Sequence, residues 1–293
     1  MRLEKKNSGK PSWLKKSLPK GGDYQRVRNL LSRAKLHTVC QEANCPNMFE
    51  CFAKNTATFM ILGSVCTRNC RFCNILNRLP VPVDPDEPLR VANTAKDLNL
   101  KYIVITSVTR DDLDDGGAAH FADTIKAIKS LLSDNTKVEV LIPDFQGNLE
   151  AVKIVLHAKP DVLNHNIETI PSLYSTARPE ADYYQSLELL QNADSINSSM
   201  GFSMPVKSGI MVGLGETMEE LEQTMKDLHD HGCSIITMGQ YMQPTKSHLK
   251  VEKYYSPDEF KTLEDTAVKI GFKKIASGPF IRSSYNAKQL YGL

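Results

Sequence analysis

The sequence lacks the features that mark membrane, secreted and nucleic-acid-binding proteins. Its longest apolar runs, around residues 59–65 and 103–108, are too short to cross a bilayer and suit buried strands. The N-terminus has no apolar signal-peptide core. Basic and acidic residues nearly balance, and the net charge of +2 gives no sign of a nucleic-acid or membrane partner. We therefore expect a globular cytoplasmic protein.

The evenly spread cysteines of a disulfide framework are also missing. Six of the seven cysteines lie between Cys40 and Cys73. Disulfide frameworks belong to small secreted domains, so crowded thiols in a chain of this length indicate metal or cluster ligands. The seventh, Cys233, stands alone between a predicted helix and a predicted strand. We interpret it as a buried, inert thiol.

Strands and helices alternate from residue 56 onward. Apolar runs predict strands at residues 56–62, 102–107, 137–142, 161–165, 206–212 and 234–240, with helical patterns between them. One helix after each short strand predicts a parallel sheet of the α/β class. It favours a partial (β/α)6 TIM-like barrel over an open sheet. In such a barrel the catalytic groups lie on the loops that follow the strands.

The chain divides into three predicted regions. Residues 1–55 form a basic, cysteine-rich extension with no clean period, residues 56–250 form the barrel, and residues 251–293 form a C-terminal extension. The sequence Ser256-Pro-Asp-Glu259 predicts a helix start in the last region, because serine caps, proline suits the first turn and glutamate completes a capping box. A further strand is predicted at residues 274–277.

The strongest motif directly follows the first predicted strand. Cys66, Cys70 and Cys73 (the 66–73 triplet) have the spacing C-x3-C-x2-C. Three thiolates on one loop can hold three irons of a 4Fe–4S cube and leave the fourth iron open to a small molecule. Zinc is the alternative. A structural zinc site wants four ligands, however, and no further thiol or suitable histidine lies nearby in the sequence.

A second triplet precedes that strand. Cys40, Cys45 and Cys51 (the 40–51 triplet) have the spacing C-x4-C-x5-C. Beside the first motif, this spacing predicts a second iron–sulfur cluster. The alternative is a zinc site completed by His37, which is close in the sequence.

The two triplets, joined by Thr56-Ala-Thr-Phe-Met-Ile-Leu-Gly63, resemble those of lipoyl synthases, a family of radical S-adenosylmethionine (SAM) enzymes. The resemblance runs from residue 10 to the C-terminal Arg-Ser-Ser-Tyr at 282–285, and the 40–51 spacing separates this family from biotin synthase. It implies two 4Fe–4S clusters. The 66–73 triplet holds the catalytic cluster that binds and cleaves SAM, and the 40–51 triplet holds an auxiliary cluster that is consumed as the sulfur source.

The resemblance also implies a fourth ligand for the auxiliary cluster. In the family this is a serine oxygen of the Arg-Ser-Ser-Tyr sequence, which corresponds here to Ser284, with Ser283 as the less favoured choice. Serine is a hard and weakly acidic ligand, so its iron is expected to be the most easily lost. Without the resemblance, these serines suit a local turn or cap.

A set of residues near the strand ends is implied to bind SAM. The glycines of the set permit close backbone approach but also simply make turns, and the arginine can pair with a carboxylate or lie solvated at the surface. His165 also lies at a strand end and is a further candidate to face the site. The implied cofactor-binding residues are Gly116, Gly117, Asn164, Glu168, Arg178 and Gly213.

The implied reaction inserts sulfur at C6 and C8 of an octanoyl group carried on a lysine of a lipoyl-domain protein. Radical chemistry fits this substrate, because an unactivated methylene offers no acidic proton. The implied partners are 2-oxoacid dehydrogenase E2 subunits, the glycine cleavage H protein, an electron donor such as flavodoxin or ferredoxin, and an iron–sulfur carrier protein. The basic N-terminal segment, with Lys15, Lys16 and Lys20, is predicted to dock an acidic lipoyl domain.

Two other functions remain open from the sequence. One is a different radical SAM enzyme, such as a biotin-synthase-like sulfurtransferase or a methylthiotransferase. The Arg-Ser-Ser-Tyr sequence argues against it, because that sequence belongs to the lipoyl synthase pattern. The other is an iron–sulfur electron carrier or assembly scaffold. A carrier is expected to protect each cluster with four thiolates, and failure to cleave SAM under reducing conditions would favour it.

Overall fold

The computed structural model describes residues 11–15, 23–54 and 56–292. No helix in these ranges is both long enough and apolar enough to cross a membrane. The strands are β1 (His37–Thr38), β2 (Thr58–Ile61), β3 (Val65–Cys66), β4 (Leu76–Asn77), β5 (Tyr102–Ser107), β6 (Lys137–Leu141), β7 (Val162–Asn164), β8 (Val206–Val212), β9 (Cys233–Gln240) and β10 (Lys274–Gly278). The α-helices are α1 (Asp23–Arg33), α2 (Val39–Glu42), α3 (Met48–Ala53), α4 (Glu87–Asp97), α5 (Ala118–Leu131), α6 (Leu149–His157), α7 (Tyr174–Ala177), α8 (Tyr183–Ser199), α9 (Met218–Asp230), α10 (Pro257–Ile270) and α11 (Ala287–Tyr291).

The main sheet has the order β1-β2-β5-β6-β7-β8-β9-β10, and its two edge strands do not pair with each other. Every neighbouring pair is parallel except β1 with β2, which is antiparallel. With helices between the strands, this is an unclosed TIM-like barrel, and the predicted fold class is confirmed. All six predicted strands form, and the further strand predicted at 274–277 pairs with β9.

The strands alternate between an apolar outer face and a polar inner face. Ile103 and Ile105 of β5 are fully buried in the core that α4 and α5 share with the sheet. The inner face instead carries charge, because Glu139 of β6 and Lys207 of β8 are buried inside the open barrel. A second apolar core lies beneath α9 and α10. Cys233, the first residue of β9, is buried there, as predicted.

The N-terminal extension is more regular than its sequence pattern indicates. Helix α1 packs on α3 by an apolar stripe that includes Val27 and Leu31, and Thr38 caps α2 by accepting from the amide of Gln41. Helices of four and six residues are too short to reveal a period, which is why α2 and α3 escape prediction. Lys16 and Lys20, part of the predicted docking segment, lie outside the described residues.

Residues 279–292 (the C-terminal tail) lie against the inner face of the barrel and run from the carboxyl ends of the strands toward their amino ends. Asn47 donates to the carbonyl of Phe280 at 2.7 Å near the start of the tail. Ala287 and Tyr291 of α11 pack against Tyr102 and Val104 at the other end. The tail thus contacts both the N-terminal extension and the barrel interior.

Gly239→Ala is expected to displace the tail. A β-carbon at Gly239 of β9 would overlap the backbone carbonyl of Ile281, and a backbone atom cannot rotate away as a side chain can. Hydrogen exchange of the tail amides should therefore accelerate roughly 10-fold or more. Gly278→Ala is the matched control, because its β-carbon would lie at an ordinary 3.5 Å from the Ile281 side chain. Equal tail protection in both variants would contradict this expectation.

Candidate iron–sulfur and SAM site

The 66–73 triplet lies on the loop after β2, at the carboxyl ends of the barrel strands, where the barrel rule predicts chemistry. Strands β3 and β4 pair across the base of this loop. The amide of Thr109 donates to Cys66 Sγ at 3.3 Å, and His248 Nε2 lies 2.9 Å from the carbonyl oxygen of Cys73. Thr109 follows β5 and His248 follows β9, so these contacts hold the loop to the segments after both strands.

An arginine inside the triplet anchors the loop from within. Arg68 pairs with Asp111, which follows β5, through Nε–Oδ2 at 2.6 Å and Nη2–Oδ1 at 2.9 Å. It also pairs with Asp144, which follows β6, at 2.5 and 2.7 Å. The side chains of Arg68 and Asp144 are 5% and 0% exposed. These two ion pairs of Arg68 were not predicted, although an aspartate in the loop after each of two strands is a signal for a buried cationic partner.

At least one thiol of each triplet is a weak acid in the absence of a metal. Burial raises the pKa of Cys73 to about 12, with the neighbouring Cys70 adding to the effect. Burial, followed by Cys45, likewise raises the pKa of Cys40 to about 12. These thiols stay protonated alone, whereas the positive charge of bound iron stabilises the thiolate.

Among the described residues, no three histidine, cysteine, aspartate or glutamate side chains form a group that could hold a metal ion. His37 Nδ1 lies 2.9 Å from Glu42 Oε1. In a 4Fe–4S cube each cysteine binds a different iron, so the thiols need not converge on one ion.

The 40–51 triplet spans α2, the turn after it and α3, and the C-terminal tail lies against it. Tyr285 donates from its hydroxyl to Glu50 Oε1 at 2.9 Å, next to Cys51 on α3. Arg282 is partly buried and lies close enough to both Cys45 and Glu168 for each to influence its pKa, which desolvation lowers overall. The tail therefore lies between the auxiliary cysteines and the predicted SAM residues.

The two candidate serine ligands differ in their surroundings. Ser283 Oγ lies 3.3 Å from Asn166 Nδ2, and the Ser283 carbonyl accepts from Lys207 Nζ at 2.5 Å. Within the described residues, the Ser284 hydroxyl has no hydrogen-bond partner. Both serines are partly buried. Which serine would bind a cluster stays a prediction.

Among the described residues, several buried polar atoms without hydrogen-bond partners belong to the predicted SAM residues or to their neighbours in the chain. They are Asn164 Oδ1, His165 Nε2, Asn166 Oδ1 and Arg178 Nε. Unsatisfied buried groups are costly and rare, so their concentration here indicates a polar ligand. His165 also meets the Ile142 carbonyl through Nδ1 at 2.9 Å. Burial lowers its pKa to about 4, so its ring is neutral at pH 7.

Glu168 and Arg178 lie beside the 66–73 triplet. Both are among the charged groups that influence the pKa of Cys70, which burial raises. Burial also raises the pKa of Glu168, whose Oε1 accepts from Asn166 Nδ2 at 3.0 Å. Glu168 has φ of +70°, a strained conformation typical of functional positions in non-glycine residues. Arg178 is buried, which removes the solvated surface alternative for it.

The predicted glycines have clear roles in the backbone. Gly117 caps α5 with φ of +91°, and a β-carbon there would overlap the Leu62 side chain. A β-carbon at Gly116 would lie 2.8 Å from the Phe145 ring. Gly213 has φ of +107° and donates its amide to Glu216 Oε1 at 2.5 Å. Their predicted contacts with SAM stay predictions.

Comparison with known proteins gives two family-model matches. Residues 60–228 match the model of the radical SAM superfamily. Residues 1–45 match the model of the N-terminal domain of lipoyl synthase of the radical SAM family. The first match covers more than half of the chain.

Curated relatives align over nearly the full length. The lipoyl synthase of Caldanaerobacter subterraneus subsp. tengcongensis is 53% identical over 278 residues, covering 95% of this chain and 95% of its own. That of Alkaliphilus metalliredigens is 53% identical over 280 residues, covering 96% of this chain and 95% of its own. Among solved structures, methylornithine synthase matches with a TM-score of 0.55 at 14% identity, covering 86% of this chain and 74% of its own. That likeness supports the fold alone.

Proposed function

The chain belongs to the lipoyl synthase family of the radical SAM superfamily, and from this membership we propose how its own residues carry the family reaction. It is an enzyme, a radical SAM sulfurtransferase that inserts sulfur in the synthesis of the lipoyl cofactor. It uses a 4Fe–4S cluster and SAM, and it acts on octanoylated lipoyl domains. The proposal concerns the second cluster, the ligands and the partners.

We assign the catalytic cluster to Cys66, Cys70 and Cys73, and the auxiliary cluster to the 40–51 triplet with Ser284. When bound, the catalytic cluster and SAM supply a radical that takes one hydrogen atom from carbon for each electron received, and the auxiliary cluster supplies the sulfur that replaces it. The observation that carries the assignment is the tail: its residues lie against both the 40–51 helices and Glu168 beside the 66–73 triplet.

The chain's polar residues would bind and orient SAM. Arg178 is suited to the SAM carboxylate, because its Nε has no partner among the described residues and guanidinium binds carboxylates well. Asn164 and Glu168 would accept hydrogen bonds, and Gly116 and Gly117 would admit the ligand close to the backbone. The neutral His165 would serve as a hydrogen-bonding group rather than a proton donor.

The test uses anaerobically reconstituted protein, dithionite, SAM and an octanoylated lipoyl domain. The domain should gain the mass of two sulfur atoms, and a non-octanoylated domain should stay unchanged. Arg178→Met should weaken SAM binding roughly 10-fold or more, through the loss of a charge-assisted bond. Arg71→Met, a change on the same loop, is the control. SAM cleavage without any sulfur transfer would favour another radical SAM enzyme, and absence of cleavage would favour an electron carrier.

The partners beyond the lipoyl domain are proposed on chemistry. A cluster that receives one electron per SAM needs a low-potential donor such as flavodoxin or ferredoxin, and a consumed cluster needs an iron–sulfur carrier to rebuild it. E2 subunits of 2-oxoacid dehydrogenases and the glycine cleavage H protein are the proposed lipoyl-domain substrates.

Charge reversal of the basic N-terminal segment tests how the substrate docks. Changing Lys15, Lys16 and Lys20 to glutamate should raise the Kd for an acidic lipoyl domain, most strongly at low salt, since exposed charges are screened as salt rises. Binding is measured by calorimetry at two salt concentrations, with Lys226, Lys261 and Lys269 reversed together as the control. An unchanged Kd at low salt would rule the segment out as the dock.

A further inference from the structure

A buried ion pair inside the barrel takes no part in either cysteine loop. Lys207 of β8 and Glu139 of β6 are each 1% exposed, with Nζ and Oε1 2.7 Å apart. Tyr102 donates to the other oxygen of Glu139 at 2.6 Å. Apolar side chains of similar volume would usually fill such a space at no loss of stability, so the sheet alone does not explain this pair.

The second acceptor of Lys207 comes from the C-terminal tail. Nζ lies 2.5 Å from the carbonyl oxygen of Ser283, and an ammonium has enough donors to bind a carboxylate and a carbonyl together. Asn166 meets the Ser283 hydroxyl at 3.3 Å. Both polar groups of Ser283 are thus bound by the barrel, directly before the residue assigned as the iron ligand.

We propose that Lys207, held by Glu139, is a positioning residue that fixes the depth and register of the tail and so places Ser284 beside the 40–51 triplet. Adjacent Cα atoms are only 3.8 Å apart, so anchoring the Ser283 carbonyl leaves Ser284 a short range of positions. The effect of Lys207 on the position of Ser284 as a ligand rests on the proposed function. The anchoring itself is a property of the chain without its clusters.

The bond that anchors the tail is stronger than an ordinary one. A hydrogen bond with a charged donor contributes more than a neutral one, and leaving a buried carbonyl unpaired adds a penalty. Glu139 contributes by holding the ammonium in place, since Lys207 would otherwise carry its charge in the barrel with a single acceptor. Removal of the lysine should thus free the tail while the outer core of the barrel is retained.

The test compares Lys207→Met with Lys207→Met/Glu139→Gln in the full chain. The double variant guards against unfolding, because it leaves no unpaired buried charge. In cluster-free protein, hydrogen exchange of residues 279–292 should accelerate roughly 10-fold or more while β5 and β6 stay protected. In reconstituted protein, a chelator should remove the iron of the auxiliary cluster, about half of the total, roughly 10-fold or more faster than from the wild type. Lys253→Met, which breaks a lysine–glutamate pair outside the barrel, should change neither.

Ser284→Ala separates this inference from the assigned ligand. It should speed iron release and leave the exchange of the cluster-free tail unchanged. Unchanged tail exchange in the double Lys207 and Glu139 variant would overturn the anchor, whatever Ser284→Ala does. A loosened tail in that variant together with unaltered iron release in Ser284→Ala would uphold the anchor and overturn Ser284 as the ligand.

Discussion

Replacing Cys40, Cys45 and Cys51 with alanine should lower the iron content of the reconstituted chain from about eight to about four, because each triplet holds its own four-iron cluster. The variant should still cleave SAM, since Arg68 anchors the 66–73 loop to Asp111 and Asp144 of the barrel. It should transfer no sulfur to an octanoylated domain. Iron analysis with Mössbauer spectra, product mass and 5′-deoxyadenosine yield are the measurements.

The complementary variant makes the comparison decisive. Alanine at Cys66, Cys70 and Cys73 should also retain about four irons, with no SAM cleavage and no sulfur transfer. Cys233→Ala is the control for loss of a thiol, because Cys233 is buried in a separate apolar core. Four irons in both the wild type and the 40–51 variant would mean that the N-terminal triplet binds no cluster.

Arg68→Met should have the largest effect of any single substitution outside the cysteines. It leaves Asp144, a fully buried carboxylate, without its partner, and such a loss typically costs about 3–5 kcal/mol in the free energy of unfolding. The cysteine loop also loses the four hydrogen bonds that join Arg68 to Asp111 after β5 and Asp144 after β6. SAM cleavage should fall about 100-fold, as expected when reacting groups shift by about 1 Å.

A second substitution separates the effect of Arg68 on protein stability from its effect on the position of the cysteine loop. Arg68→Met/Asp144→Asn removes the unpaired buried charge and should recover much of the free energy of unfolding, whereas SAM cleavage should stay low because the loop still lacks the hydrogen bonds of Arg68. Arg78→Met, an exposed arginine close to the same loop, is the control. Thermal unfolding and 5′-deoxyadenosine yield are measured on the same preparations. Cleavage restored along with stability would show that Arg68 only stabilises the fold.

The sequence predicted the barrel well because its signals are local. Apolar strands, capped helices and their alternation are each visible within a few residues, as at Ser256, where the predicted capping box forms. The cysteine loops were found for the same reason, since their ligands lie close together in the chain. The division of the chain at residues 55 and 250 stays a prediction.

The contacts that connect distant parts of the chain could not be predicted. Glu139 and Lys207 each interrupt an apolar strand, which indicates a buried charge in need of a partner, but the two are separated by 68 positions. One sequence cannot say which strands become neighbours in the barrel. For the same reason, the contacts of Arg68 with Asp144 and of His248 with the Cys73 carbonyl could not be predicted.

The course of the tail has a consequence for biosynthesis. Residues 279–292 follow every strand of the barrel in the chain, yet they pack against its inner face. Ser284 is therefore synthesised after all the strands that the tail contacts. The auxiliary site assigned to it can form only once the tail has been made and has packed on those strands, whereas the 66–73 loop and the aspartates that anchor it all lie in the first half of the chain.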